Sequence, residues 1–153
     1  MTPERLALID FWERLLGGRM KLAVTLTFKK YLRAYGQRLT ERTVEKSVLW
    51  FLSRLNRLCH GNSAKRRGFC VGVVTVFHKG GSGDNLHAHL ALVAPLGMQY
   101  DEFKIRILKA ATANDWIDRQ CDIKPYQNKG WLKYMLHEGN EALIPSCNNK
   151  SNP

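Results

Sequence analysis

The sequence predicts an α+β fold in a single domain, and three observations carry that prediction. An early segment alternates apolar and small residues at period two, a Val-rich run is joined by turn chemistry to a second apolar run, and helical periodicity lies between and around them. The chain has 153 residues, 44% of them hydrophobic, which suits one core and is too short for two. The domain is expected over residues 1–145, and the polar stretch 146–153 is expected to be a disordered tail.

In chain order, Thr2 caps a helix with Pro3 at its first position, and Leu6, Ile9 and Leu16 recur at helical spacing until Gly17-Gly18 stops it. Leu22, Val24, Leu26 and Phe28 alternate with Ala23, Thr25 and Thr27, so 21–28 is a strand. A second helix starts near the capping Thr40 and runs to about Cys59. It buries Val44, Val48, Phe51, Leu52, Leu55 and Leu58 and leaves Arg54 and Arg57 outside. The basic connector Lys65-Arg66-Arg67 leads into a strand over 69–78, and Gly80 to Asn85 supplies turn residues before a strand over 86–94, so these two pair as an antiparallel hairpin.

Asp101 and Glu102 favour the start of a third helix, with Phe103, Ile105, Ile107, Leu108 and Trp116 on its apolar side. A strand follows around Arg119 to Pro125, then a helix over Lys129 to Glu138, ended by Gly139. Without the first helix the order is strand, helix, strand, strand, helix, strand, helix. That order predicts a ferredoxin-like split βαβ antiparallel sheet (βαββαβ) with helices on one face, an added N-terminal helix and a C-terminal helix carrying Tyr134.

A formal charge of +11, from 24 Lys and Arg against 13 Asp and Glu, makes a polyanion the first partner to consider. No apolar run reaches the ~18 residues of a membrane span, and Glu4, Asp10 and Glu13 interrupt any signal-peptide core. Cys59, Cys70, Cys121 and Cys147 form no Cys-x-x-Cys pair, which argues against a zinc knuckle or redox dithiol. Cys70 and Cys121 read as buried, reduced thiols in strands, and the expected compartment is a reducing cytoplasm.

His87 and His89 are two apart on a strand, so both imidazoles point to one face. His78 ends the preceding strand and sits across the hairpin mouth from His87, which makes a three-ligand metal site with open positions feasible. On the last helix Trp131, Leu132, Met135 and Leu136 form a core stripe, with Tyr134 and Glu138 at its border.

Three segments then carry a resemblance. Leu22-Ala23-Val24-Thr25-Leu26-Thr27-Phe28, Leu86-His87-Ala88-His89-Leu90-Ala91-Leu92-Val93 and Trp131-Leu132-Lys133-Tyr134-Met135-Leu136-His137-Glu138 resemble, in order, the first motif, the His-hydrophobe-His strand and the nucleophile helix of the HUH endonucleases. The first motif is most similar to that of rolling-circle replication initiators with one catalytic tyrosine. Those initiators usually place a Lys three or four residues beyond the tyrosine, where this chain has His137 and Glu138; Lys133 is the neighbouring positive charge.

The resemblance implies metal-dependent nicking and rejoining of single-stranded DNA, with Mn²⁺ or Mg²⁺ held by His87, His89 and a third ligand. His78 is favoured for that place, and Glu138 would fill it in a single-tyrosine transposase, the runner-up reading. Tyr134 would attack phosphorus and form a 5′-phosphotyrosine. The implied substrate is a single strand, usually exposed at a hairpin origin. Lys29, Lys30 and Arg33, together with Lys65, Arg66 and Arg67, would track its phosphates, while Tyr31, Tyr35 or Trp131 offers a stacking surface. No phosphate-binding Gly-x-x-x-x-Gly-Lys motif is present, so unwinding would need a host helicase or polymerase in trans.

A reading from another class is a non-catalytic RNA- or single-strand-binding module. Arg67-Gly68-Phe69 is similar to the start of the third-strand signature of the RNA-recognition motif, but Cys70, Val71, Gly72 and Val74 depart from it.

Overall fold

The computed structural model describes residues 2–16, 20–78, 86–126 and 130–135. The elements are α1 (Pro3–Leu16), β1 (Lys21–Phe28), the two-residue strands β2 (Tyr31–Leu32) and β3 (Gln37–Arg38), α2 (Glu41–His60), α3 (Asn62–Arg66), β4 (Gly72–His78), β5 (His87–Val93), α4 (Tyr100–Thr112), β6 (Ile117–Pro125) and α5 (Gly130–Met135). The turn residues Gly80 to Asn85, and His137, Glu138, Gly139, Cys147 and the polar tail, lie outside the described residues.

The fold is α+β, built on a four-stranded sheet in the order β4-β5-β1-β6 with every neighbouring pair antiparallel. Alternation along β1 sends Leu22, Val24, Leu26 and Phe28 into one core with α2 and α4. In α2, Val44, Val48, Phe51, Leu52 and Leu55 fall on one helical stripe and are buried there, each contributing about 1.5–3 kcal/mol of gross apolar burial. Thr40 caps that helix by accepting the Thr43 N–H at 3.1 Å.

The opposite face of the sheet is covered as well, which differs from the expected one-sided helix layer. Val74, Val76, Ala91 and Val93 form a second core with Ile9 of α1 and Met135 of α5. The reason is in the strands: β4 and β5 are buried at nearly every position, and a strand apolar on both faces needs cover on both.

Several local expectations change. The Lys65-Arg66-Arg67 connector is largely helical, since Lys65 and Arg66 belong to α3. Ile105 is 53% exposed instead of buried, and Trp116 lies beyond α4 in the turn that enters β6. Arg67-Gly68-Phe69 precedes β4 and lies on no strand, which removes the placement an RNA-recognition signature needs. Cys70 lies before β4, and both Cys70 and Cys121 are only half-buried and in no disulfide. Burial still pushes the Cys121 thiol up to about 11, so it stays protonated at neutral pH. Among the described residues no helix is long and apolar enough to cross a membrane.

Candidate metal centre

The centre lies on the second face of the sheet. In the antiparallel register His78 stands opposite His87, while Thr25 and Thr27 stand opposite His89 and His87 from the other side. Residues directly opposite share a face, so three imidazoles from two strands converge. One ring nitrogen of each lies within 4.8 Å of the others, and the ring centroids are 4.5 Å apart for His78 and His89, 4.8 Å for His87 and His89, and 5.4 Å for His78 and His87. His78 and His89 are buried and His87 is half-buried.

Hydrogen bonds orient two of these rings. His78 Nε2 lies 2.7 Å from the carbonyl oxygen of Met135, and because a carbonyl only accepts, Nε2 carries the proton; in the metal-binding, neutral form of the ring the lone pair is then on Nδ1. His89 Nδ1 meets Thr25 Oγ1 at 3.0 Å, while its Nε2 is buried with no hydrogen-bond partner. A buried, unpaired ring nitrogen is costly unless something fills its place. Burial, reinforced by the neighbouring His78 and His87, pushes the His89 imidazole down to about 3. It is therefore neutral at physiological pH, the form in which imidazole binds metal.

These residues fit a divalent ion: three nitrogen donors, a ring held by a backbone carbonyl, a second held by a hydroxyl, and one unsatisfied buried nitrogen. Imidazole nitrogens suit borderline transition-metal ions better than Mg²⁺, which prefers an all-oxygen shell. Cys121 is no competing ligand, since it packs against the other core. Asp122 stands opposite Thr25 on β6, but it is exposed and its carboxylate lies 3.2 Å from the Lys124 ammonium.

Helix α5 brings Tyr134 over the cluster. Its ring centroid is 5.2 Å from His89 and 6.1 Å from His78, and the side chain is 53% exposed. Met135, the next residue, is fully buried and its carbonyl binds His78, so the bond that orients a candidate ligand also docks the tyrosine helix. Trp131 packs against both rings, 5.2 Å from His89 and 5.6 Å from Tyr134, with its indole N–H buried and unpaired. Lys133 is exposed beside Tyr134. Glu138, the alternative third ligand, lies outside the described residues.

The basic residues divide between the two ends of the sheet. Lys29 and Lys30 follow Phe28 directly, and Arg33 sits in the β2–β3 hairpin, at the end of β1 where Thr27 faces His87. Lys65, Arg66 and Arg67 lead instead toward Gly72, the start of β4, six residues from His78 and so roughly 20 Å away along the strand. Sequence reasoning missed Thr25 as a partner of His89, the Met135 carbonyl as a partner of His78, and the bond that the Tyr126 hydroxyl donates to Glu13 of α1. Glu13 also pairs with Lys21 at 3.8 Å, which ties α1 to the histidine face. Period two had already set Thr25 on that face; the pairing partner was the missing information. No family model, no curated protein and no solved structure matches this chain.

Proposed function

We propose that this chain is a metal-dependent endonuclease of the HUH type, nicking and rejoining single-stranded DNA as a rolling-circle replication initiator does. The observation that carries the reading is the convergence of His78, His87 and His89 beneath an exposed tyrosine ring 5.2 Å from His89. The strand order, with β1 and β5 central and α2 and α4 together on one face, supports the ferredoxin-like form of the α+β fold in which the resemblance would place such a site.

His78, His87 and His89 would hold the ion through one ring nitrogen each. When bound, a divalent ion supplies positive charge against the non-bridging oxygens of a phosphodiester. Tyr134 has the place and exposure to meet a strand from solvent. Its oxygen bonds to phosphorus as its proton leaves to water; the bond from phosphorus to the 3′ oxygen breaks, and that oxygen takes up a proton. The products are a 5′-phosphotyrosine and a free 3′-hydroxyl, and the reverse attack rejoins the strand. Lys133 adds positive charge beside the nucleophile. His78 on β4 as the third donor favours an initiator over a transposase, whose third donor would be Glu138.

Incubating the protein with labelled single-stranded oligonucleotides and Mn²⁺ tests this. A covalent protein–DNA adduct is expected, and Tyr134→Phe should abolish it while leaving the fold intact, since only an exposed hydroxyl is removed. An adduct that survives in Tyr134→Phe would place the nucleophile elsewhere. Tyr126 is the next candidate, although burial and its bond to Glu13 hold its phenol well above the ordinary range.

A further inference from the structure

A cleft of about 450 Å³ opens on the α2 and α4 side of the sheet, away from the histidine face. Its walls come from the first half of α2, the β2–β3 hairpin and the turn between α4 and β6, and they present Tyr35, Trp50 and Trp116 around Lys46. Trp50 and Tyr35 are 44% and 57% exposed, so much of this aromatic surface is not spent on the core.

The walls are held in place. Asn114, almost fully buried, donates from Nδ2 to the Ser47 carbonyl of α2 at 3.3 Å and accepts the Trp116 N–H at 2.9 Å. The Tyr35 hydroxyl donates to Asp115 at 2.8 Å, which fixes the hairpin against the same turn, and Gly36 at φ 59 closes the turn behind it. Of the charged side chains, Lys46 and Asp115 line the cleft; Lys29 and Lys30 lead into the hairpin that forms one wall, and Arg33 and Arg38 belong to it. The cleft also lies at the histidine end of β1. The Lys29 N–H donates to the Trp116 carbonyl at 2.9 Å, two residues beyond the Thr27 that faces His87.

We propose that this cleft binds an unpaired base of single-stranded DNA, stacked on Trp50, with adjoining phosphates on Lys46 and the hairpin cations. Preformed aromatic walls, a cleft sized for one small group, a lysine in its lining and a basic hairpin beside it are what a stacking platform requires. A duplex would not satisfy it, because paired bases offer no open ring face. The choice of DNA rests on the nuclease reading, and the site would hold the strand on the side of the sheet opposite Tyr134.

Binding is measured in Tyr134→Phe, where no adduct forms, with a twelve-residue oligothymidylate as probe and fluorescence anisotropy as readout. Trp50→Ala should weaken binding roughly five- to hundredfold, the range for one lost base–aromatic stack. Trp50→Phe should recover most of it, and Lys46→Gln should lower the salt slope by about one. A duplex of the same length should fail to compete.

Unchanged binding in Trp50→Ala, a loss that Trp50→Phe does not restore, or equal competition by duplex would each overturn the proposal. The two readings fail separately. An adduct in the wild type with unchanged Trp50→Ala binding removes the cleft and keeps the nuclease; no adduct with weakened Trp50→Ala binding does the reverse.

Discussion

At the scale of single residues, the hydroxyl of Thr25 matters because imidazole has two nitrogens and only one can face a metal. If Nδ1 of His89 donates to Thr25 Oγ1, the lone pair on Nε2 points into the cluster; the opposite tautomer would put a proton there. Thr25→Val keeps the shape and removes the acceptor, so Mn²⁺ affinity should fall by roughly ten- to hundredfold, the usual cost of losing such a supporting contact. Thr25→Ser should remain near wild type. Titration calorimetry separates the cases, and equal affinity in Thr25→Val would mean that packing alone orients His89. His78→Ala has a wider expected effect, because it deletes a donor and also the bond to the Met135 carbonyl that docks α5. It should weaken Mn²⁺ binding by several-fold to a hundredfold and loosen Tyr134 over the cluster. A variant that binds Mn²⁺ as tightly as wild type would remove His78 from the ligand set.

At the scale of elements, what was legible in the sequence follows the strength of each local signal. The alternation of Leu22, Val24, Leu26 and Phe28, the Thr40 cap and the hairpin that sets His78 opposite His87 are all written within a few neighbouring residues. The β2–β3 hairpin was not legible, since two-residue strands show no periodicity. Nor was the bond between Thr25 and His89, 64 positions apart, because it depends on the pairing of β1 with β5. Both helices on the second face, α1 and α5, were foreseen as helices, but their packing partners come from tertiary structure. The same limit applies to the two basic clusters, which look equivalent along the chain and stand at opposite ends of the sheet. Changing Lys29, Lys30 and Arg33 together to Gln should therefore lower both single-strand affinity and its salt slope more than the same change at Lys65, Arg66 and Arg67. Equal slopes for the two triple variants would show that the strand path reaches the far end of β4.

At the scale of the whole molecule, the candidate centre is part of the fold as well as a place for chemistry. His78 belongs to β4, His87 and His89 to β5, and α5 is joined to His78 through Met135, so an ion held by the three donors would cross-link two strands and secure the helix lying over them. An unfolded chain holds these side chains in no fixed arrangement, and a ligand that binds the folded state stabilises it by mass action. At a Mn²⁺ concentration about 100 times its Kd the gain is roughly 2.7 kcal/mol, which for a chain of this length is a rise in Tm of roughly 5–10 °C. Chelation by EDTA should reverse the rise, and the double variant His87→Ala with His89→Ala should show none, whatever its own melting temperature without metal. The comparison is therefore between each protein with and without Mn²⁺, followed by circular dichroism at fixed protein concentration. A rise of the same size in the double variant would mean that the ion binds elsewhere on the molecule, and the three histidines would then be a packed polar cluster under Tyr134 with no metal to hold.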